Sequence, residues 1–306
     1  MSLKDIKLKI KSVDRTRKVT KAMETVSAVK MRKSQLRAIS GRPYASAALS
    51  ILKRLSVSLE NIKHPLTEVR PVQRAALIVV TSDKGLCGVL NSAVLREADK
   101  AVKALNLTKE SIDIYAFGKK AAEFFERRGY NLANKFENVS DEVAIAELDE
   151  VTKNVTKSFI DKKVDHVQIL FTNFKSTFEQ YPVVETVLPL SLKTVEGIVG
   201  NILPQKGAFA EQRKDDSVPP NFYTIEPSPE SVLDEIIPKL SGVLVYHALL
   251  ESKASEHSAR MVAMKNASDK SRDLSKFLTR KFNKARQAMI TREVSEIVGG
   301  IEAMAV

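Results

Sequence analysis

The residues of this chain with the clearest chemical potential lie in a short glycine-containing turn. Gly85-Leu86-Cys87-Gly88 follows a predicted strand over Arg74 to Ser82 and precedes a predicted helix over Asn91 to Leu105. A turn in that position could cradle a phosphate on backbone N–H groups at the helix start. Neither the P-loop pattern, which ends in Lys-Ser or Lys-Thr, nor the three-glycine dinucleotide fingerprint is present. A plain strand-to-helix turn fits these residues better than a phosphate site.

Cysteine and histidine supply the other candidates for catalysis or metal binding. Cys87 is the only cysteine, and a thiolate at a helix N-terminus could act as a nucleophile. No histidine lies near it in sequence, so a buried apolar role is favoured. The four histidines are His64, His166, His247 and His257. They are scattered along the chain and do not form the His-Glu-x-x-His spacing of a zinc site. The sequence predicts neither a metal site nor an acid-base centre, and we expect His257 in a helix-helix seam.

Long helices at the two ends of the chain are the elements that must position any functional residue. Neither Met1 to Ser40 nor Val243 to Val298 contains proline or glycine. Apolar or small residues recur there at steps of three and four, the spacing of a coiled-coil seam. The first seam uses Leu3, Ile6, Ile10 and Val13 and then, after a phase slip, Val19, Met23 and Val26; the second begins with Leu250, Ala254, His257, Met261 and Met264. A long apolar stripe exposed to water would promote association, so we expect the two stripes to pack against each other. We therefore predict an antiparallel pair of terminal helices.

Positive charge is concentrated in the same two helices. The whole chain carries +12, whereas residues 1–40 alone carry +9 and residues 243–306 carry +4. A rod of this kind should be attracted to nucleic acid, anionic lipid or an acidic collar of other proteins. Lysines at 7, 9 and 11 point around the first helix, which also lacks aromatic side chains that could stack on bases. Nucleic-acid binding is therefore not favoured.

The composition is that of a chain with a sizeable core, and no membrane span is predicted. Apolar residues make up 43% of the sequence, and no apolar run approaches the roughly 18 residues that a membrane span requires. Lysines interrupt the aliphatic residues near the N-terminus, so no signal peptide is predicted there. A single cysteine fits a reducing compartment. We expect the chain to stay in the cytosolic compartment.

Between the terminal helices, short strands alternate with short helices. Predicted strands cover Arg74 to Ser82, Ile112 to Phe117 and His166 to Phe174, with an edge strand at Val183 to Leu190. Predicted helices cover Asn91 to Leu105, Lys119 to Arg128 and Glu142 to Lys162. This alternation indicates parallel strands with helices on the sheet faces. The fold class is therefore α/β: a long antiparallel coiled coil of the N- and C-terminal helices plus a central Rossmann-like α/β domain.

Four segments follow from these patterns. They are an N-terminal shaft helix at 1–63, a Rossmann-like domain at 70–193, a loop or insertion at 194–226, and a long C-terminal shaft helix at 228–306. The insertion has no clear periodicity and is rich in glycine and proline. Ser228-Pro229-Glu230 predicts the start of the last helix, with serine as N-cap and proline in the first helical position.

Several separated blocks of the sequence resemble the gamma subunit of F-type ATP synthase. The blocks occur in the family's order and the resemblance covers nearly the whole chain apart from 194–224. They are Ser12-Val13 with Thr20-Lys21-Ala22-Met23, Ser82 to Gly88, Ala254-Ser255-Glu256-His257-Ser258-Ala259-Arg260-Met261, and Phe282 to Ala288 continuing to Ile297. The family often has tyrosine where this chain has Phe282, which keeps the packing but lacks the hydroxyl.

The resemblance implies a non-catalytic rotor subunit without a cofactor or metal of its own. In the family, the terminal helices form an axle inside a ring of alternating alpha and beta subunits, and the nucleotide sites lie on those partners. Rotation presents different faces of the axle to three beta subunits in turn and couples ion translocation to ATP synthesis or hydrolysis. The implied partners are the alpha and beta subunits, the epsilon subunit and the c-ring. The implied location is the cytoplasmic face of a bacterial inner membrane, held there through the complex.

The resemblance also assigns contact residues. Those expected to meet the acidic loops of the beta subunits are Lys21, Met23, Arg286, Gln287 and Thr291. Those expected at the foot, near the rotor ring, are Tyr223 and Glu226. The 194–224 segment contains no cysteine, which excludes a dithiol switch of the chloroplast kind.

A different class of function stays open on the residues alone. A basic coiled-coil adaptor could bind nucleic acid or anionic membrane through its shaft and use the central domain for docking. Its binding should weaken steeply with salt, whereas a shaft enclosed by protein should be retained through its apolar seam.

Overall fold

The computed structural model describes residues 2–40, 64–141, 145–190, 226 and 228–304. The chain divides into two compact units, residues 1–27 with 260–306 and residues 28–259. The described helices are α1 Leu3–Ser40, α2 Leu90–Ala104, α3 Lys119–Glu126, α4 Ile145–Ile160 and α5 Pro229–Met304. The described strands are β1 Ala75–Val80, β2 Ile112–Phe117, β3 Asn131–Phe136, β4 His166–Phe174 and β5 Gln180–Leu188.

The unit 28–259 is built on a five-stranded sheet of order β3-β2-β1-β4-β5. Strands β3, β2, β1 and β4 are parallel, and β5 runs antiparallel to β4 at one edge. Strand β1 lies at the centre, and each of its six residues is at most 2% exposed. A strand that is buried on both faces has apolar residues at every position and not at alternate positions. The predicted α/β class is confirmed.

Two apolar clusters cover the two faces of the sheet. Alternate residues of β1 point to opposite sides, so Ile78 packs with α4 and α5 while Leu77 packs with α2 and α3. On the first side the cluster includes Phe159 of α4 and four buried residues from the first half of α5: Ile237, Leu240, Leu244 and Leu249. The first part of α5 therefore belongs to the domain core.

The unit formed by residues 1–27 and 260–306 is a pair of antiparallel helical segments. The start of α1 lies with the end of α5, which fixes the opposite directions of the two helices. Ile6 and Leu278 are buried at 2% and 5% exposure, and Ser275 Oγ donates a hydrogen bond of 2.9 Å to Asp14 Oδ1. The predicted coiled-coil pairing of the terminal helices is confirmed.

The seam of α1 keeps one register along this unit. Val19 and Val26 are 59% and 55% exposed, whereas Thr20 and Ser27 are buried. Thr20 and Ser27 follow Val13 at steps of seven, so the predicted phase slip is wrong. A hydroxyl can enter the seam at low cost because it bonds to its own helix; Thr20 Oγ1 donates to the Thr16 carbonyl at 3.0 Å.

Element boundaries agree closely with the sequence patterns, with one strand missed. Strands β2 and β4 have the predicted limits, and β3 has no predicted counterpart. Ser228 caps α5 as predicted, since its hydroxyl accepts a hydrogen bond of 3.2 Å from the Ser231 N–H. Residues 41–63 and most of the predicted 194–226 insertion lie outside the described residues, so the four-segment division stays a prediction.

Candidate functional site

The glycine-containing turn after β1 is closed by its own side chains. Asn91 Nδ2 donates to Ser82 Oγ at 2.7 Å and to Cys87 Sγ at 3.3 Å, and Asn91 Oδ1 accepts from the Ser82 N–H at 3.0 Å. Cys87 is 2% exposed, which confirms the predicted buried role. Leu86 and Gly88 both adopt positive φ angles, of 65° and 63°. These contacts describe a hydrogen-bonded strand-to-helix turn.

Histidine side chains serve as hydrogen-bonding groups in the described part of the chain. His64 Nδ1 accepts from the Leu66 N–H at 3.1 Å, and its Nε2 lies 3.0 Å from Asp234 Oδ1. His166 is half-buried, and burial lowers the pKa of its imidazole. No group of His, Cys, Asp and Glu among the described residues has an arrangement that could hold a metal ion.

His257 contacts a carboxylate, Asp141, that also binds a lysine. Its Nε2 lies 2.8 Å from Asp141 Oδ1, and Lys30 Nζ donates to Asp141 Oδ2 at 2.7 Å. The hydrogen bond to His257 and then that to Lys30 lower the pKa of the Asp141 carboxyl well below its usual range. His257 is 3% exposed and contacts Asp141, which follows β3; its predicted place in a helix-helix seam stays a prediction.

The block of α5 around His257 also binds the β4–β5 hairpin. Glu251 Oε2 accepts from the Phe174 N–H at 2.8 Å, Ser255 Oγ donates to the Thr172 carbonyl at 3.2 Å, and Ser258 Oγ donates to the Thr177 carbonyl at 2.8 Å. Side chains at steps of three and four share one face of a helix, so a single face of α5 reaches this end of the sheet. Small hydroxyl residues permit the close approach.

One face of α1 forms a basic groove. Five cationic residues line it at steps of three and four: Lys4, Lys7, Lys11, Arg15 and Lys18. Leu8, Ile10 and Asp14 complete the lining. The prediction that basic residues merely circle this helix is wrong for these five. The groove offers a line of about 20 Å of positive charge, at about 1.5 Å per residue.

The two predicted contact residues on α1 lie beyond this groove. Lys21 is exposed and pairs with Glu24 at 3.0 Å, while Met23 is half-buried. The Asp14–Ser275 contact sets the register, so Lys21 and Arg286 lie about 27 Å apart along the helix axis.

The predicted contact residues on α5 lie where that helix carries an exposed apolar stripe. Arg286, Gln287 and Thr291 are exposed, as is every residue from 286 to 304 whose burial is described. This stripe, here called the α5 end stripe, consists of Ile290, Val294, Ile297, Ile301 and Met304. The first four are 51–64% exposed and Met304 is 89% exposed. Apolar residues at this spacing form one face. Glu226 is exposed, and Tyr223 lies outside the described residues.

Comparisons with known proteins place these features in a family. A protein-family model described as ATP synthase matches residues 2–304. The ATP synthase gamma chain of Heliobacterium modesticaldum is 37% identical over 99% of this chain and 99% of its own length. The chain belongs to the ATP synthase gamma-chain family. The gamma chain of Pelotomaculum thermopropionicum is 39% identical, again over 99% of both sequences.

Solved structures with the same fold come from rotary complexes. A rotor chain of the Euglena gracilis mitochondrial ATP synthase has a TM-score of 0.63 at 16% identity, covering 94% of this chain and 98% of its own. A chain of the central stalk and c-ring of the Tetrahymena thermophila mitochondrial enzyme has a TM-score of 0.58 at 24% identity, covering 82% and 99%. At these identities the likeness is one of fold.

Membership of the gamma-chain family defines the class of function. The family provides the central stalk of F-type ATP synthases and is not the catalytic subunit. The chain is therefore a central-stalk subunit, as the sequence blocks implied. No helix in the described ranges has an apolar stretch long enough to cross a lipid bilayer.

Proposed function

We propose that this chain transmits torque between a membrane c-ring and a catalytic head of alpha and beta subunits. Turning of the ring would rotate α1 and α5, and their asymmetric surface would bias each beta subunit in turn between conformations of different nucleotide affinity. The chain would thus couple ion translocation to ATP synthesis or hydrolysis. It would act through differential contacts and not through chemistry of its own.

The α5 end stripe carries this proposal. Ile297 and Ile301 are 63% and 64% exposed on a face that the described part of the chain does not cover. Apolar surface of that extent is an association hazard in water and marks a protein-binding face. An apolar sleeve formed by the head subunits would cover it. Arg286, Gln287 and Thr291, which we propose as beta-subunit contacts, lie along the same exposed end.

The basic groove on α1 supports an acidic partner surface. Four lysines and an arginine line it, with Asp14 as the single acid. Long-range attraction between this groove and acidic loops would draw the shaft into the head, while salt screening over about 8–10 Å keeps the interaction from fixing one angle. Lys21 and Met23, the other proposed beta-subunit contacts, follow the groove along α1.

The foot of the molecule is proposed to meet the remaining partners. Tyr223 and Glu226 would lie near the polar loops of the c-ring, and the epsilon subunit would bind beside the α/β domain. These assignments rest on the sequence resemblance, and the exposed position of Glu226 is compatible with them. The complex would hold the chain at the cytoplasmic face of a bacterial inner membrane.

A pull-down from detergent-solubilised membranes at moderate salt tests the proposal. Tagged chain should recover about three copies each of two larger nucleotide-binding subunits, ring subunits, and ATPase activity. Ile297→Asp should reduce recovery of the head subunits. Ile160→Asp serves as the matched control, because Ile160 is a similarly exposed isoleucine of the α/β domain at 48% exposure. Equal recovery with both variants would remove the role assigned to the stripe.

The basic groove also gives the adaptor alternative a specific observation in its favour. If the groove binds nucleic acid or anionic lipid, retention should fall steeply as salt rises, in proportion to the number of phosphates neutralised. Capture of nucleic acid or lipid without the head subunits would overturn the torque proposal. Retention of the head subunits at elevated salt would exclude the adaptor.

A further inference from the structure

The segment that follows β3 is held by four side chains from the two long helices. Lys30 and His257 contact the two carboxylate oxygens of Asp141, at 2.7 and 2.8 Å. Arg37 Nη1 donates to the Asp141 carbonyl at 3.2 Å, and Lys253 Nζ donates to the Val139 carbonyl at 2.9 Å. Three of the four donors are cationic side chains, and all four converge on a segment of three residues. All of them lie within the unit 28–259.

The spacing of the donors shows that each helix uses one face for these contacts. Lys30 and Arg37 are seven residues apart on α1, and Lys253 and His257 are four apart on α5. Both separations return a side chain to nearly the same side of a helix. Two helices from opposite ends of the chain thus present donors to the same short segment. Both helices contact Asp141.

The contacts at Asp141 add to this unit a carboxylate that is shared between α1 and α5. Packing of α5 against the sheet is largely apolar, with hydrogen bonds between β4 and the side chains of Glu251 and Ser255, and the apolar contacts have little directional preference. Hydrogen bonds to a charged group are short and strongly dependent on angle. A carboxylate bound at one oxygen by α1 and at the other by α5 therefore resists rotation of either helix about its own axis. Apolar packing alone resists such rotation less.

We infer that Asp141 is a positioning residue that ties α1 and α5 to the α/β domain, so that torque applied to the domain turns both helices together. The inference rests on the proposed function, because it specifies how torque enters the shaft. The role that we assign to Asp141 is positional and acts through Lys30 and His257. The observation that carries it is the carboxylate shared between Lys30 and His257.

Asp141→Asn in the complete complex, assembled in inverted membrane vesicles, tests the inference. An amide carries no charge and can accept at only one of the two positions, so at least one of the two charge-assisted bonds is lost. We expect assembly and ATP hydrolysis within about two-fold of the unaltered complex, and at least a two-fold fall in ions pumped per ATP hydrolysed. Asp161→Asn is the matched control, because it makes the same substitution in an exposed ion pair, 3.5 Å from Lys163.

A second variant addresses the same contact from the helix side. Lys30→Met should lower the pumping ratio as Asp141→Asn does. The double variant should have a ratio close to that of Asp141→Asn alone, because both changes act on the same contact. Asp141→Glu, which keeps the charge, should restore part of the ratio. Failure of the unaltered complex to pump would reject the proposed function itself.

Two results would overturn the role of Asp141 while leaving the proposed function intact. The first is a pumping ratio for Asp141→Asn equal to that of the unaltered complex and of Asp161→Asn. The second is a loss of assembly and hydrolysis in parallel, with an unchanged ratio in the complexes that remain. The second result would show that Asp141 only stabilises the fold.

Discussion

The α/β domain and the paired helix ends bury their apolar residues to very different extents. In β1, Ile78 has no exposed surface, whereas Ile297 and Ile301 near the end of α5 are 63% and 64% exposed. The same residue type thus stabilises the chain in one region and is left for other molecules in the other. The domain buries the apolar residues of its sheet within itself, whereas the apolar residues at the helix end are those that we propose partners cover. Stability and partner binding can therefore be altered separately.

The helix pair and the domain also differ in the types of residue that they bury. Two large clusters of aliphatic and aromatic residues cover the sheet of the domain, which also buries hydroxyl residues such as Ser255, while the α1 seam has Thr20 and Ser27 among its buried residues. Small hydroxyl residues bury less apolar area, at about 25 cal/mol per Å², and so contribute less to cohesion. The paired segments are expected to open more readily than the sheet.

The largest effect is expected for Ile78→Ala in β1. Removal of buried methyl and methylene groups from a packed core costs about 2–5 kcal/mol of unfolding free energy. The chain has no tryptophan, and all six of its tyrosines lie within residues 28–259. Tyrosine fluorescence measured in urea therefore reports the unfolding of this unit. A loss below about 1 kcal/mol would contradict the description of β1 as the centre of the core.

A smaller effect is expected when acid protonates Asp141. The pKa of this carboxyl is lower in the folded chain than in the unfolded chain, so its stabilising contribution is present at neutral pH and is lost as the pH falls below about 4. Between pH 5 and pH 3 part of this contribution should be lost, and solvent screening of this partly exposed group keeps the loss to about 1 kcal/mol or less. The same tyrosine signal measured at both pH values checks this. Asp141→Asn should show a correspondingly smaller loss, and an identical loss would argue against the prediction.

Ile297→Ala should leave the isolated chain almost unchanged. Its side chain is exposed, so truncation is expected to alter the unfolding free energy by no more than about 0.5 kcal/mol. Hydrogen exchange of the α5 end provides the measurement, with recovery of head subunits as the second readout. We expect reduced recovery. A marked loss of stability without a change in recovery would reverse the comparison between the two regions.

The smallest effect is expected for Lys21→Ala. Lys21 Nζ lies 3.0 Å from Glu24 Oε1 in an exposed ion pair, and such pairs contribute about 0–1 kcal/mol. The unfolding midpoint of α1 should hardly move. If Lys21 meets acidic loops of the beta subunits, retention of the variant in the head should depend less on salt than that of the unaltered chain. An identical salt dependence would count against that contact.

The parts of the fold that the sequence predicted well are those with unambiguous apolar patterns. Strands β2 and β4 have continuous buried runs and were predicted to the residue. Strand β3 was missed because its apolar anchors, Leu132 and Phe136, are four residues apart, which fits a helix as well as a strand. Phe136 is placed by stacking on Phe117 at a centroid distance of 4.7 Å, a contact that no local pattern reveals.

The functional residues divide in the same way. Lys21, Met23, Arg286, Gln287 and Thr291 were identified from motif resemblance, and their roles stay predictions. Asp141 was missed, because its partners Lys30 and His257 are 111 and 116 residues away in the chain. The seam register was also mispredicted, since hydrophobicity favoured Val19 over Thr20. Long-range polar contacts and buried hydroxyls add nothing to the apolar pattern from which elements are predicted.

The α5 end stripe has a consequence for the biosynthesis of this protein. A newly made chain carries Ile297, Ile301 and Met304 in water until a partner covers them. Chains produced in excess of their partners would self-associate through this face or be retained by chaperones. Cells would therefore gain from translating the subunit in step with the head subunits, so that each chain meets its partners soon after it leaves the ribosome.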